Sequence, residues 1–312
     1  MTLAPPEPQL SPQLGFVWLE ITGRCQLECV HCYANSGPHG SHGTMAYSDW
    51  AAAIDQAAKL GTSMVQFIGG EPTLHPALPS LITHALDRGV EVEVHSNLVH
   101  VADPLWDLFA LSGVRLATSY YTDDPDQHQR ITGRHTLERT RAKIARAVAR
   151  GIPIRVGIID LGDDQRVQQA HADLTSLGVT RIEHDRMRVL GRPARGQCDA
   201  SELCGNCGDG IAAILPDGTV TPCPLARWLT AGNLRTTQLS SLIGEVRRIA
   251  STVIAPALAE TRPCQPNCTP GCDPSMTAPG GGDGCVPKAR CEPNKPAKDP
   301  CAPEFKCRPK GK

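Results

Sequence analysis

Three cysteines spaced by three residues and then two, Cys25, Cys29 and Cys32, stand together in a chain of 312 residues that holds 14 cysteines. A tight loop with three thiolates can hold three irons of a cubane cluster and leave the fourth iron open. Structural zinc asks for four protein ligands, with pairs spaced by two to four residues. His31 or a later cysteine would then complete the set, and spacing alone leaves both readings open. The opening Met1-Thr2-Leu3-Ala4-Pro5-Pro6 has no basic segment followed by an apolar one, so the expected location is cytoplasmic. In a reducing compartment, metal binding or catalysis is the expected use of cysteine.

The elements that would position this loop follow from periodicity. Strand-like runs at 17–22, 64–68, 90–96, 115–121, 154–159 and 180–189 alternate with helical patterns at 48–60, 78–88, 104–112, 136–150 and 164–177. Gly61, Gly89, Gly151 and Gly178 stand as stop signals after helices. Strands alternating with helices predict βαβ units and a parallel sheet, hence an α/β fold. Chemistry in such folds sits beyond the carboxyl ends of the strands. The cysteine triplet follows the first strand, which favours a catalytic role for it. Net charge is −1 and aromatics make up 4%, which gives no footing for nucleic acid, and no apolar run is long enough for a membrane span.

Gly69-Gly70-Glu71-Pro72 follows the second strand, where glycine allows a close approach to backbone. Ser96-Asn97 ends the third strand, and Ser119-Tyr120-Tyr121 ends the fourth, followed by His128-Gln129-Arg130-Ile131-Thr132-Gly133. With the Cys-x3-Cys-x2-Cys triplet flanked by His31 and Tyr33, this pattern resembles the radical S-adenosylmethionine (SAM) superfamily. The resemblance implies a partial (β/α)6 TIM-like barrel with a 4Fe–4S cluster on Cys25, Cys29 and Cys32. SAM would occupy the open iron and be cleaved to a 5′-deoxyadenosyl radical that abstracts hydrogen from carbon. Gly69, Gly70, Glu71 and Pro72 match the motif for the SAM amino group, and Gly70 would stand where a side chain would intrude on the methionine moiety. Ser96, Asn97 and Ser119 are implied SAM contacts. Tyr121 and Gln129 stand where related sequences carry Asp. Arg155, Asp160, His184, Asp185 and Arg186 are candidates for the substrate site or, singly, for ion pairs. Glu20 and His95 could point into the barrel.

Residues 196–250 change character. Pro216-Asp217-Gly218 between two short apolar runs predicts a hairpin, and 239–249 a helix. Cys207, ten residues, Gly218, four residues and Cys223 resemble the opening of the SPASM extension of peptide-modifying radical SAM enzymes, with Cys204 as an additional ligand. Residues 264–312 hold seven cysteines, ten prolines and little apolar content, so metal or crosslinks would have to order them. Cys264, Cys268, Cys272, Cys285, Cys291, Cys301 and Cys307 depart from the usual second half of that extension. Two auxiliary 4Fe–4S clusters need about eight thiolates and positions 204–307 offer ten, so two are expected to be affordable, with one cluster plus a zinc knot or a disordered tail as the alternative. Cys198 lies outside the pattern, as bystander, ligand or hydrogen-atom donor. With Tyr121, Asp160 and Asp185 it completes the catalytic candidates.

The expected division is an arm at 1–15, a barrel at 16–195, a SPASM-type hairpin and helix at 196–250, and a Cys/Pro-rich tail at 251–312. The expected activity is oxidative crosslinking of a short ribosomal precursor peptide, most like the cyclophane-forming maturases. The expected partners are a flavodoxin- or ferredoxin-type reductant and, since about 15 residues precede the first strand, a separate leader-peptide-binding protein. One rival is a dehydrogenase or epimerase of an aminosugar or cyclitol. The other is a non-catalytic zinc-binding scaffold.

Overall fold

The computed structural model describes residues 14–261 apart from residue 163. Six parallel strands lie side by side in chain order: β1 (Phe16–Thr22), β2 (Met64–Gly69), β3 (Glu91–His95), β4 (Val114–Tyr120), β5 (Ile154–Asp160) and β6 (Arg181–Arg186). The helices between them are α1 (Tyr47–Lys59), α2 (Leu78–Asp87), α3 (Asp103–Phe109), α4 (Pro125–Thr132), α5 (Leu137–Ala149) and α6 (Val167–Ser176). This is the α/β partial barrel expected from the alternation of patterns.

Successive side chains of a strand point to opposite faces, and the two faces of this sheet differ in chemistry. Val17, Leu19 and Ile21 of β1, Val65 and Phe67 of β2, Val92 and Val94 of β3, and Val156 and Ile158 of β5 join the apolar core with Trp50, Leu81 and Ile144 of the helices. The alternate positions include a set of polar residues: Glu20, Gln66, Glu93, His95, Arg115, Ser119 and Arg155. Glu93 is fully buried and accepts from Gln66, from Arg115 Nε at 3.0 Å and from Arg155 Nη2 at 2.7 Å. Burying a carboxylate is tolerable only with such partners, and here they hold Glu93 below the usual carboxylate range despite its desolvation.

The hairpin expected at 211–221 forms as β7 (Ile211–Ile214) and β8 (Thr219–Thr221), and β9 (Gly232–Asn233) follows. Its place is a finding the sequence did not announce: β7 pairs in parallel with β1, so the six-stranded sheet continues β1-β7-β8-β9. Leu239, Leu242, Ile243 and Val246 of α7 (Leu239–Ile249) pack into the same core. A π-helical turn, Ala250–Ile254, then leads into α8 (Ala255–Thr261). The chain divides after Pro256, and of the second unit only residues 257–261, helical, are described. Residues 1–13 of the arm expected at 1–15 and all seven tail cysteines lie outside the described residues. Among the described residues no helix is long and apolar enough to cross a membrane.

Arg155 therefore takes the ion-pair role its place on β5 allowed, bridging Glu93 and Glu183. Arg155→Leu should lower unfolding free energy by about 2 kcal/mol, since it removes one charged donor of buried Glu93 and leaves Arg115 and Gln66 to hold it. Urea unfolding of both proteins checks this.

Candidate functional site

A cavity of about 270 Å³ is lined by Cys25, Cys29 and Cys32, by Gly69 and Gly70, and by Ser96, Asn97, Ser119 and Tyr121. Four segments of sequence that looked capable of chemistry thus meet in one place. His31 and Tyr33 line it, as do His95, His128 and Asp185. The carboxyl ends of the parallel strands supply most of these groups, where such folds place their chemistry.

The cysteine loop is held by backbone from three directions. At its start, Gly23 and Cys25 donate to Ser41 O at 2.8 Å and Gly37 O at 3.0 Å. In its middle, Glu28 and Val30 donate to Thr132 O at 3.0 Å and Ile131 O at 2.9 Å, the last carbonyls of α4. This docking is what the His128–Gly133 segment does. At its end, Arg192, beyond β6, donates to the carbonyls of Cys29 and Ser36. The sulfurs accept hydrogen bonds too: Cys25 Sγ from Leu27 N at 3.4 Å, and Cys32 Sγ from Ser36 N at 3.3 Å. Asn97 Nδ2 lies 3.6 Å from Cys25 Sγ. Without metal, burial pushes the Cys25 and Cys29 thiols up to about 12. Three free thiols opening on one cavity, two of them with N–H donors aimed at sulfur, fit a cluster held by thiolates.

The Gly69-Gly70-Glu71-Pro72 turn divides its labour. Gly69 and Gly70 line the cavity, but glycine is required here by the chain itself. A Cβ on Gly70 would sit 2.3 Å from Arg24 O, and one on Gly69, whose φ is +138°, 2.2 Å from Thr22 O. The close approach is made by the entrance to the cysteine loop. Glu71 is fully buried and is not a cavity wall. Its Oε1 accepts from Thr73 N and Oγ1 at 3.0 and 2.7 Å, and its Oε2 from Asn97 N at 2.7 Å. Pro72 begins a short 3₁₀ turn behind it. Ser96 Oγ accepts from Leu98 N at 3.0 Å, and Asn97 Oδ1 from Gln26 Nε2 at 3.0 Å. These side chains fix the loops at the strand ends while facing the cavity.

The far wall is aromatic. Tyr121 meets His31: its hydroxyl lies 3.1 Å from Nε2 and the rings stack edge-on at 4.8 Å. His95 Nε2 lies 3.3 Å from Ser119 Oγ, and His128 Nε2 lies 3.0 Å from Thr136 Oγ1. Burial drives His31, His95 and His128 down to about 4, so all three are neutral at physiological pH. His31 Nδ1, His128 Nδ1, Tyr33 Oη and Ser36 Oγ are buried without a protein partner.

Two proposed catalytic residues fall elsewhere. Asp160 is outside the cavity, its carboxylate accepting from Gly162 N at 2.8 Å, and Cys198 is exposed and also outside. Asp185 and Arg186 stand at the rim, paired with Arg188 and Glu202. His184 stacks on His171.

A second thiol group lies in the extension. Cys207 and Cys223 Sγ are 3.3 Å apart, brought together by the hairpin, and Cys204 hydrogen-bonds Cys207. The Cys207 thiol is pushed up as the shared donor, while Cys204 is drawn down to about 5. Between the two thiol groups lie Tyr33 and the ion pair of Glu20 with Arg227. Burial raises Glu20 to about 7 even with that partner.

Buried neutral histidines make stability depend on pH. His75, His95 and His128 sit near 4 in the fold against an ordinary 6.5. As pH falls from 6.5 toward 4 the unfolded chain takes up these protons and the folded one does not, so stability is lost over that window. Glu20, raised, works in the opposite direction and offsets part of it. Thermal unfolding at pH 7 and pH 5 should show a lower midpoint at pH 5.

Residues 19–174 match the radical SAM superfamily. A PqqA peptide cyclase of Xanthomonas campestris pv. campestris (strain B100) is 31% identical over 178 residues, 56% of this chain and 47% of that protein. A PqqA peptide cyclase of Streptomyces rochei is 27% identical over 267 residues, 72% of each chain. The chain spans about half the length of the Xanthomonas relatives it matches. Among solved structures, Streptococcus suis SuiB bound to precursor peptide SuiA superposes with a TM-score of 0.63 at 15% identity, over 76% of this chain and 67% of that one. Native anSMEcpe with bound AdoMet and Cp18Cys peptide gives 0.60 at 12% identity, over 78% and 84%. The structural likenesses show a shared fold, and the family match spans half the chain: the protein belongs to the radical SAM superfamily.

Proposed function

We propose that this protein is a peptide-modifying radical SAM enzyme that forms an oxidative crosslink in a short ribosomal precursor peptide. The observation that carries the reading is the meeting of Cys25, Cys29 and Cys32 with Gly69, Gly70, Ser96, Asn97 and Ser119 around one cavity. The three thiols would hold the SAM cluster, and the turn and strand ends would bind SAM beside it. When bound, these groups supply a 5′-deoxyadenosyl radical that takes a hydrogen atom from carbon. The chain's own part is to orient and to keep water out: Tyr121, His31 and His128 wall the cavity with neutral rings.

Two relatives named PqqA peptide cyclase, and a structural neighbour holding a precursor peptide, support a peptide substrate. A crosslink removes two hydrogens, one as an atom and one as a proton with an electron. Cys204, Cys207 and Cys223, with cysteines of residues 264–307, would hold one or two auxiliary clusters that accept that electron. The division into a barrel at 16–195, an extension at 196–250 and a tail at 251–312 follows this use. The reading keeps the enzyme in the cytoplasm, served by a flavodoxin- or ferredoxin-type reductant and a leader-peptide-binding protein.

Replacing Cys25, Cys29 and Cys32 together by Ala should abolish 5′-deoxyadenosine formation while leaving auxiliary iron. Continued SAM cleavage would sink the ligand assignment. Replacing Cys207 and Cys223 by Ala should instead remove iron beyond the about four atoms of one cubane. About four irons with stoichiometric zinc in the parent protein would favour the zinc knot. Anaerobic incubation with a short peptide encoded beside the enzyme should yield product lighter by two hydrogens per bond by mass spectrometry. Turnover of an aminosugar and of no such peptide would replace this reading with the small-molecule one.

A further inference from the structure

The strand order leaves β6 at one end of the sheet and β1 next to β7, so no sheet hydrogen bonds join β6 to β1. What spans that opening at the mouth of the barrel is the segment that leaves β6. Met187 donates to Asp160 O at 2.6 Å, and Arg188 lines the cavity. The chain then descends onto the cysteine loop. Gly191, at φ +66°, brings its Cα so close that a Cβ there would stand 2.1 Å from Tyr33 O. Arg192 follows and makes four contacts with residues 29–36. Its backbone N donates to Cys32 O at 3.0 Å, Nη1 to Cys29 O, Nη2 to Ser36 O at 2.7 Å and Nε to Asn35 Oδ1 at 3.3 Å.

Two features separate this grip from the others on the loop. It comes from a side chain whose planar fork reads two peptide carbonyls at once. It also brings a permanent positive charge, and none of the ion pairs found among the described residues includes Arg192. The residues it touches carry two of the three loop thiols, and Ser36 N is the donor to Cys32 Sγ. Charge near a cluster and hydrogen bonds to its sulfurs set its reduction potential.

We propose that Arg192 is a positioning residue of the SAM cluster, fixing the peptide planes of Cys29, Cys32 and Ser36 and favouring the reduced cluster through its charge. The proposal rests on Cys25, Cys29 and Cys32 being the ligands. Its two parts are separable, because lysine keeps the charge and loses the fork, while glutamine loses the charge.

The test uses the full chain, anaerobically reconstituted, as wild type, Arg192→Lys and Arg192→Gln. Iron release to a chelator and the midpoint of the EPR signal that SAM perturbs are the two readouts, with circular dichroism as a check on folding. Partners that orient metal ligands are typically worth 10–100-fold in metal affinity. Both variants should therefore release the SAM-cluster iron roughly 10–100-fold faster than wild type. Arg192→Gln should shift the midpoint to more negative potential, with Arg192→Lys close to wild type. Wild-type iron release in both variants would overturn the positioning role. A midpoint unmoved in Arg192→Gln, or equally lowered in both, would overturn the charge role. Should Arg192→Gln fail to fold, Arg192→Lys decides: fast release with an unshifted midpoint supports the proposal, and any other pair of results overturns it. A wild-type protein with no SAM-perturbed signal overturns the ligand reading itself, and the clamp with it.

Discussion

The mouth of this barrel is organised around a buried carboxylate. Glu71 reaches no solvent, and burying it would be costly if its oxygens were left without donors. Thr73 and the backbone of Asn97 supply them, which binds the end of β2 to the end of β3. The peptide N–H of Glu71 donates to Arg24 O at 2.8 Å and that of Gly70 to Thr22 O at 2.7 Å, which binds both to the end of β1. Asn97, placed by Glu71, then reaches Cys25. Three strand ends and the first cysteine therefore share one set of hydrogen bonds. Two glycines are the condition for it, because β1 and β2 approach too closely there for any Cβ.

Below the mouth, the polar interior of the sheet would be unfavourable if it were wet or unpaired. The Glu93 network fills that volume with matched charges, and His95, two residues further along the same face of β3, begins the cavity wall. The extension belongs to the same structure. β7 continues the sheet beyond β1, so the thiols of Cys207 and Cys223 are carried by a hairpin anchored to the strand that leads to Cys25. The ion pair of buried Glu20 with half-buried Arg227 joins β1 to the segment after the hairpin. Tyr33, one residue beyond Cys32, lies in this joint with its hydroxyl unpartnered.

The parallel strands and most helices were legible because their periodicities are strong and glycine ends the helices. Each predicted strand lies within a few residues of the observed one. α4 was not read as a helix, since its residues are mostly polar and leave no apolar stripe. Asp124 capping Gln127 N, Pro125 at the first turn and Gly133 in the left-handed region were the available signals. The cavity's cysteines and glycines were legible from type and spacing. The function of Glu71 was not, because burial of a carboxylate cannot be read from a motif. Asp160 and Arg155 read in sequence as candidates for the substrate site or for ion pairs, and the fold places one in a turn and the other against Glu93. Arg192 carried no local signal, for its partners are more than 150 residues away in the chain.

The distribution of charge around the cavity agrees with hydrogen-atom chemistry. His31, His95 and His128 are neutral, Tyr121 and Tyr33 are held far above their ordinary value by burial, and Glu71 is turned away. A hydrogen atom moves without a change in net charge, so a transition state of that kind gains little from fixed ions. It gains from fixed geometry and from the exclusion of water, which would let a reactive species escape to side reactions. Ionic groups are instead placed at the β6 rim, where Asp185, Arg186 and Arg188 hold one another and Glu202. Mutual pairing keeps them from imposing one sign on what enters. A neutral wall and a self-compensated rim leave shape and fixed hydrogen-bonding groups as the cavity's means of selection.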